Sequence, residues 1–582
     1  MSLYKELEED LKEIIKKAGF EEENISLTPS NRKDLGEYQL NDAMQLVKVY
    51  HNNPREIANS IVKELENDKR FVNINIAGPG FINFTLSEEY KVEIINKMHD
   101  NLFNNIDKQE KKKIIIDYGG ANVAKALHVG HLRSADIGEA LKRLANLVGY
   151  EAIGDAHLGD YGRPLGLVVL EIKKLYPNLS YFDENYTGDY SEVELPITNA
   201  DLERIYPEAS NKARVDEEYL DEAREITKKI QSHTRGYYDI WKKIVEISKE
   251  DIKKVYKELN VNFELWYGES DAMEYFPELE KIYRDNNILS LSEGAEVVNV
   301  SSEDDKTEIP PLLFIRTNKT VSYETTDLAT ILQRKKEENP DEIWYVVDAR
   351  QSLHFEQVFR AARRAKLVND NVVLEHIGFG TMNGKDGHPF KTRDGGVMPL
   401  KTLIDMVNEE TLKKITNESM TDEEKKKTSR IVAIAALKYA DLLPFRGTDY
   451  IFDPAKFADL EGKTGPYLLY STIRMKSLLN KAKNLSQEKA KILPGKTEQD
   501  IAVTILNLPI TIKRAIDTKS LNEIADYLYN ITSLYNKFYA ENKVLIEENK
   551  DKQESWLVLT KVVYDINMLL LKTLGIEVPE KM

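Results

Sequence analysis

The segment from Lys113 to Ala156 constrains the fold most, because it places a strand, a loop, a helix and a second strand in succession. KIIIDY at 113–118 is an apolar run of strand length. Residues 130–150 repeat apolar side chains at helical spacing, and YEAIGDA at 150–156 is the next strand candidate. A strand, a helix and a strand in this order predict an α/β domain built on a parallel sheet.

This pattern is interrupted and then resumes. Residues from about 166 to 320 are long, polar and irregular, with a helical block near 216–258, and they indicate an insertion in the α/β domain. EIWYVVDA at 342–349 and NVVLEHIGFGTM at 371–382 restore the strand signal. We therefore expect an α/β domain over 109–402.

Different patterns flank that domain. Residues 3–18 have the spacing of an amphipathic helix, and two alternating runs around Gly78-Pro79-Gly80 predict paired strands. Residues 1–108 thus form a small α+β domain. After about Leu400 the strand signals vanish, which predicts an all-α domain over 403–582. The predicted fold class is α/β multidomain.

Composition excludes several chemistries. The 582 residues include no cysteine, so disulfides, cysteine-ligated zinc, iron–sulfur clusters and thiol nucleophiles are excluded. This favours a reducing, cytoplasmic location. The net charge of −17 argues against indiscriminate coating of nucleic acid. We expect no membrane association, since no apolar run reaches the roughly 18 residues of a span and the amino terminus is acidic.

The sharpest local motif is His128-Val129-Gly130-His131, which lies between the first strand and its helix. The amino terminus of a helix offers free N–H groups and positive potential, so it suits phosphate. Gly130 allows close approach of a nucleotide, and both histidines can donate hydrogen bonds. The alternatives are two structural histidines or a zinc pair. Zinc is disfavoured because no third ligand lies nearby in the sequence.

With its surroundings, this motif resembles the signature of class I aminoacyl-tRNA synthetases. Asn-x-Ala-Lys before it and Leu-Arg-Ser after it narrow the resemblance to arginyl-tRNA synthetases. The similarity extends over the whole chain, through segments that include HLGDYGRPLG at 157–166, SYETTDLA at 322–329, YVVDARQSLHFEQVF at 345–359, GKDGHPFKTRDGG at 384–396, GPGFINFTL at 78–86 and DYIFDPAKFADLEGKTGPYLLYSTIR at 449–474. It implies an amino-terminal tRNA-binding domain, a Rossmann-type catalytic domain and a helical anticodon-binding domain.

The resemblance implies an arginine–tRNA ligase. ATP, carried with magnesium, would activate L-arginine to arginyl-adenylate, and the arginyl group would pass to the 2′-hydroxyl of the terminal adenosine of tRNA(Arg). AMP and pyrophosphate would leave. Because negative charge grows on the phosphate oxygens, the site needs positioned donors and cations. The resemblance assigns this role to His128, Gly130 and His131, with Lys125 close by. It also implies a monomer and activation that requires tRNA. The absence of cysteine excludes the zinc-bearing members of the class, so we expect no zinc.

The second class I signature is degenerate here. Its expected position is the loop Gly384–Gly396, where Lys391 and Arg393 are the candidate cations for pyrophosphate and Lys385 is an alternative. A basic surface hairpin is the competing interpretation.

Selection of arginine requires acceptors around a planar fork of donors. By family resemblance, the residues of the arginine pocket are Asp117, Asn122, Tyr323, Asp327 and Gln351. The competing role of Asp327 is a helix cap or a surface carboxylate. Gly119-Gly120-Ala121 stands where the family has a hydroxyl residue, so backbone contacts would replace that contact.

Binding of tRNA needs basic and aromatic surface on an acidic body. Residues 461–483 are the preferred anticodon surface, with Tyr467, Tyr470 and Arg474 as candidates. Phe81 and Asn83 are candidates for the tRNA elbow, against a core Phe81 and a turn Asn83.

Two other functions stay open at this point. One is a class I synthetase for a different amino acid, and the arginine-pocket residues argue against it. The other is a catalytically inactive tRNA-binding paralogue, and the intact His128, Gly130, His131 and Lys125 argue against that.

Overall fold

The computed structural model of the chain describes residues 1–388, 390, 398–482 and 489–582. The amino-terminal elements are α1 (Leu3–Lys17), β1 (Leu27–Pro29), β2 (Tyr38–Leu40), α2 (Asp42–Tyr50), α3 (Pro54–Leu65), β3 (Phe71–Ala77), β4 (Phe81–Leu86) and α4 (Glu88–Asp100). The strands form an antiparallel sheet of order β1-β2-β4-β3. Strands β3 and β4 pair on either side of Gly78-Pro79-Gly80, so the predicted hairpin is confirmed.

The central elements follow in chain order. They are β5 (Lys113–Asp117), α5 (Val129–Leu147), β6 (Glu151–Asp155), α6 (Arg163–Leu175), α7 (Asn199–Val215), α8 (Glu217–Gln231), α9 (Tyr237–Glu258), α10 (Glu269–Met273), α11 (Phe276–Asp285), β7 (Leu289–Ser292), β8 (Ala295–Val298), β9 (Leu312–Ile315), α12 (Tyr323–Glu337), β10 (Glu342–Tyr345), α13 (Ser352–Arg364), β11 (Val373–His376) and β12 (Met382–Asn383).

A parallel sheet of order β11-β10-β5-β6 confirms the predicted α/β architecture. Strand β5 is central, and its isoleucines 114–116 are fully buried. The register sets Asp117 beside both Tyr345 and Asp155. Because carboxyl ends of parallel strands meet at one edge, these three side chains converge where α/β sheets bind ligands.

The insertion is more regular than its polarity predicts. Helices α7, α8 and α9 pack with α6, and β7, β8 and β9 form a small antiparallel sheet. Helix α8 explains the difference, because it buries Tyr219, Ala223, Ile226 and Ile230 at steps of three and four and exposes charge elsewhere. The polar composition therefore reflects the outer faces of amphipathic helices.

The carboxyl-terminal part is helical, as predicted, and its described residues include one short strand. Its elements are α14 (Leu400–Lys414), α15 (Asp422–Leu442), β13 (Tyr450–Ile451), α16 (Pro454–Phe457), α17 (Gly465–Lys481), α18 (Lys496–Leu506), α19 (Leu508–Thr518), α20 (Asn522–Glu541) and α21 (Lys550–Thr573). Strand β13 pairs with β12, and α14, α15, α19 and α21 pack on α5. Among the residues described, no helix combines the length and apolarity that a membrane crossing needs.

The contact between α5 and β5 yields a stability prediction. A Cβ on Gly138 would overlap Cβ and Cγ of the buried Tyr118, whose hydroxyl donates to Glu139. Gly138→Ala should therefore lower the free energy of unfolding by about 1–3 kcal/mol, as overpacking does. Thermal melting checks this. Helix propensity alone predicts the opposite, a gain of about 1 kcal/mol. A higher melting temperature would thus show that Tyr118 moves aside freely.

Candidate active site

The two motif histidines cap the start of α5, and each accepts a hydrogen bond from a backbone N–H. Nδ1 of His128 accepts from the N–H of Gly130 at 3.1 Å, and Nδ1 of His131 accepts from the N–H of His128 at 3.0 Å. A ring nitrogen that accepts carries no hydrogen, so a neutral ring bears its proton on Nε2. Both rings are thereby set as Nε2–H donors, with their centroids 3.9 Å apart.

Burial keeps these rings neutral. Burial lowers the pKa of His131 to about 3, with smaller contributions from His128 and Lys125. Burial, followed by the charge of Lys125, also lowers the pKa of His128. Gly130 serves this cap directly, because a Cβ there would lie 2.9 Å from Cε1 of His128. The structure therefore gives Gly130 a local reason in addition to the predicted close approach of a nucleotide.

The loop 384–396 is linked to this motif through Met398, which follows it. The N–H of Val129 donates to the carbonyl oxygen of Met398 at 3.2 Å. The N–H of Met398 in turn donates to the carbonyl oxygen of Phe390 at 3.3 Å. Lys385 lies 2.9 Å from Asp453. Lys391 and Arg393 lie outside the described residues. The chain thus enters and leaves the segment that carries them beside His128.

Asp117 is already paired within the protein. Its Oδ2 lies 2.6 Å from Arg334 on α12, and the same guanidinium lies 2.6 Å from Asp155. Arg334 is completely buried. Because one cation is shared by two carboxylates, the cluster retains negative charge at the end of β5. Sequence reasoning missed Arg334, since a lysine- and arginine-rich helix end usually indicates solvent.

Asp327 and Tyr323 share one face of α12, because they lie four residues apart on this helix. Tyr323 is 60% exposed, and Oδ2 of Asp327 contacts Nε2 of His354 at 2.5 Å. That hydrogen bond raises the pKa of His354 against the effect of its burial. Gln351 lies exposed on the turn before α13. The cap alternative does not hold for Asp327, because Ser322 caps this helix.

Two further predicted residues, Asn122 and Lys125, lie in the segment between β5 and α5. Asn122 is exposed and bridges to Gly159, and Lys125 lies 4.6 Å from the ring centroid of Tyr206 on α7. Glu269, the first residue of α10, was missed. Burial, followed by the charges of Asp160 and Asp327, raises its pKa to about 8, and the charge of Lys125 opposes this shift. Glu269 therefore lies close to both Asp327 and Lys125.

The predicted elbow residues are less accessible. Phe81 is half-buried, and Asn83 is fully buried in β4, where it pairs with Gln39 and Asn75. Asn83 thus occupies a strand and not the turn that the alternative assigned. Its contact with tRNA stays a prediction, and the buried side chain of Asn83 would have to become accessible for it.

The predicted anticodon surface brings Tyr470 and Arg474 together and adds Tyr539. The guanidinium of Arg474 lies 4.6 Å from the ring centroid of Tyr470 and 5.3 Å from that of Tyr539. These residues line a cavity of about 260 Å³ together with Lys481. Tyr467 is half-buried, and its hydroxyl accepts from Asn536 at 2.8 Å. Tyr467 therefore connects α17 to α20.

Family models match most of the chain. The model for tRNA synthetases class I (R), catalytic domain, matches residues 93–454. The Arginyl tRNA synthetase N terminal domain matches 5–86, and the DALR anticodon binding domain matches 468–582. The catalytic match and the histidine-capped α5 at the sheet edge define a class I aminoacyl-tRNA synthetase. The predicted domain limits themselves stay predictions.

Full-length relatives narrow this class. The chain is 41% identical over 585 residues to the arginine–tRNA ligase of Alkaliphilus oremlandii, with 100% of both chains covered. It is 41% identical to that of Agathobacter rectalis, with 99% of both covered. The chain belongs to the arginyl-tRNA synthetase family, which confirms the resemblance.

Solved structures support the fold. The arginyl-tRNA synthetase of Plasmodium falciparum superposes with a TM-score of 0.79 at 24% identity, covering 99% of each chain. That of Thermus thermophilus gives 0.77 at 19% identity, covering 100% of each.

The cap geometry predicts how His131 titrates. Its ring should stay neutral with the proton on Nε2 from pH 8 to 5, because burial lowers its pKa to about 3. The unfolded chain, with a pKa near 6.5 for this group, binds more protons below that pH, so this group makes folding less stable as pH falls. Histidine ¹⁵N spectra, assigned with a His131→Gln variant, check this. A midpoint above pH 6 for His131 would contradict the buried neutral cap.

Proposed function

We propose that this chain is an arginine–tRNA ligase that uses ATP. The observation that carries the proposal is the pair of Nε2–H donors at the start of α5, with Lys125 close to both rings and to Glu269, which in turn lies near Asp327. Donors of this kind suit a phosphate, and two carboxyl groups suit a guanidinium. Membership of the arginyl-tRNA synthetase family supports the same assignment.

In the first step the arginine carboxylate attacks the α-phosphorus of ATP, and pyrophosphate leaves. His128 and His131 donate Nε2–H bonds to phosphate oxygens, which stabilises the negative charge that grows there. Lys125 adds a cation across the cleft, and Lys391 and Arg393 are proposed to bind the leaving pyrophosphate. Magnesium enters with ATP as part of the substrate complex, since it usually keeps substrate phosphates as ligands.

The proposed pocket for arginine lies between β5, α10, α12 and the turn before α13. Asp327 has Oδ2 occupied by His354, which leaves Oδ1 to accept from a guanidinium. Glu269 faces it as a second carboxyl group, and Tyr323 offers an aromatic face. Asp117 and Asn122 at the end of β5, with Gln351, are proposed to hold the α-amino and carboxylate groups.

In the second step the 2′-hydroxyl of the terminal tRNA adenosine attacks the adenylate carbonyl and AMP leaves. No protein nucleophile is needed, which agrees with a chain without cysteine. The Tyr470–Arg474–Tyr539 surface is proposed to receive unstacked anticodon bases. We also propose that the protein acts in the cytoplasm as a monomer.

One assay tests the whole proposal. ATP–pyrophosphate exchange is measured with each of the twenty amino acids, with and without tRNA(Arg). Exchange with arginine alone, in the presence of tRNA, is expected. Exchange with another amino acid instead would assign a different specificity. No exchange under any condition, with tRNA binding retained, would identify a binding paralogue.

Asp327 provides the test of the arginine pocket. Asp327→Asn should raise the KM for arginine by about 10- to 100-fold, because a charge-assisted hydrogen bond to a guanidinium contributes roughly 1.5–3 kcal/mol. The KM for ATP should change less than about threefold, because the proposed contact of Asp327 is with arginine and not with ATP. Steady-state exchange with tRNA measures both, and the exposed Asp285→Asn is the matched control. Equal increases in both KM values would remove Asp327 from the arginine pocket.

The aromatic surface provides the test of tRNA binding. Tyr470→Ala and Tyr539→Ala should each weaken tRNA(Arg) binding by about 1–3 kcal/mol, the range for a stacked base. The turnover of exchange at saturating tRNA should persist. Filter binding at fixed salt measures the affinity, and Tyr176→Ala on the insertion is the control. Unchanged affinity in both variants would move the anticodon site elsewhere.

A further inference from the structure

Arg133, two residues after His131, is buried and fully engaged. Its side chain is 2% exposed, and its Nε lies 2.9 Å from Asp441 on α15. Its two terminal nitrogens each donate at 3.3 Å, one to the carbonyl of Thr448 and the other to that of Arg446. One side chain of α5 therefore binds three separate points of the carboxyl-terminal part.

A second buried pair lies one turn further along α5 and one turn earlier along α15. Asp136 on α5 lies 3.4 Å from Lys438 on α15, and both side chains are fully buried. The order of charges fixes the register of these antiparallel helices. A slip of one turn in one direction would set Arg133 against Lys438, and in the other Asp136 against Asp441. Like charges in a buried interface are strongly unfavourable, so the observed register is selected.

The first pair also reaches strand β12. Oδ1 of Asp441 accepts from the hydroxyl of Tyr450 in β13 at 2.8 Å. The N–H of Tyr450 donates to Thr381, and the N–H of Phe452 donates to Asn383. The carbonyl of Arg446 that binds Arg133 also accepts from the N–H of Gly380 at 2.9 Å.

These contacts connect the two ends of the catalytic cleft. Arg133 sits on the first turns of α5, whose start is the histidine cap. Its partners hold residues 380–383, from which the chain continues to Gly384 and the second loop. Movement of this support by about 1 Å would misplace the groups on either side of ATP, an error that can cost about 10²-fold in rate.

We propose that Arg133 is a positioning residue for the ATP-dependent step: with Asp441 and Tyr450 it holds β12 and β13 at a fixed distance from the His128–His131 cap. This inference rests on the proposed function. It assigns Arg133 no contact with substrate. Its effect should therefore fall on ATP and turnover, and arginine and tRNA binding should be spared.

The test compares two apolar replacements of buried ion pairs. The double variant Arg133→Met with Asp441→Leu removes the first pair without leaving a lone buried charge, which would itself unfold the protein. The control, Asp136→Leu with Lys438→Met, removes as much buried charge but keeps the contacts to 446, 448 and 450. Both are measured by thermal melting, tRNA binding and pyrophosphate exchange with tRNA.

The first double variant should lose at least tenfold in kcat/KM for ATP, with the KM for arginine and the Kd for tRNA within threefold of the parent. The control should stay within threefold throughout. An unchanged first variant, or an equal loss in both, would overturn the positioning role.

If the first variant does not fold, Tyr450→Phe decides, because it keeps the ion pair and removes the link to β13. Its kcat/KM for ATP should fall, and an unchanged value would equally overturn the role. Absence of exchange in the parent protein would instead reject the proposed function.

Discussion

The burial of α5 between the parallel sheet and the carboxyl-terminal helices removes four charged side chains from water. Arg133, Asp136, Glu139 and Lys142 recur at every third position and are at most 4% exposed. An uncompensated charge in such a place costs several kcal/mol, so each requires a partner. The partners come from α15, from Arg143 on the same helix and from Glu264 after α9. Three parts of the chain must therefore assemble before α5 is stable.

This requirement explains why the proposed catalytic groups are held so closely. The histidine cap begins the same helix whose charges fix its neighbours. Ser134 adds a further tie, because its hydroxyl donates to Val346 after β10 and accepts from Gly119 after β5. The Leu-Arg-Ser run after the motif thus fastens the helix start to the sheet through Ser134 and to α15 through Arg133. Buried polar contacts beneath the site therefore fix the positions of the groups at its surface.

The sequence predicts those features that depend on local periodicity. The apolar run of β5, the helical spacing of α5 and the hairpin of β3 and β4 are each decided within a few residues, and all three are present. Glu269 and Arg334 could not be found this way. Glu269 stands 152 positions after Asp117 in a polar insertion, and only the folded packing of α10 brings it to Asp327. Arg334 lies in the last turns of a charged helix. Only the register of β5 with β6 shows that Asp117 and Asp155 lie side by side and can both bind it. Arg360 is a similar case, because only the folded structure shows that Asp305 and Glu356 bind its charge.

The charge of the proposed pocket depends on which of its ionisable groups are buried and which are already paired. Burial holds Glu269 protonated near neutral pH, and Arg334 offsets the charges of Asp117 and Asp155. Asp327 also shares its charge, with His354. A guanidinium, with five donors in a plane, can meet both Asp327 and a Glu269 that ionises beside it, whereas an ammonium offers a compact charge that stays better hydrated. A partly neutral pocket thus favours the cation that is least costly to desolvate and best shaped for two carboxylates, which is the physical reason that the proposed pocket would select arginine over lysine.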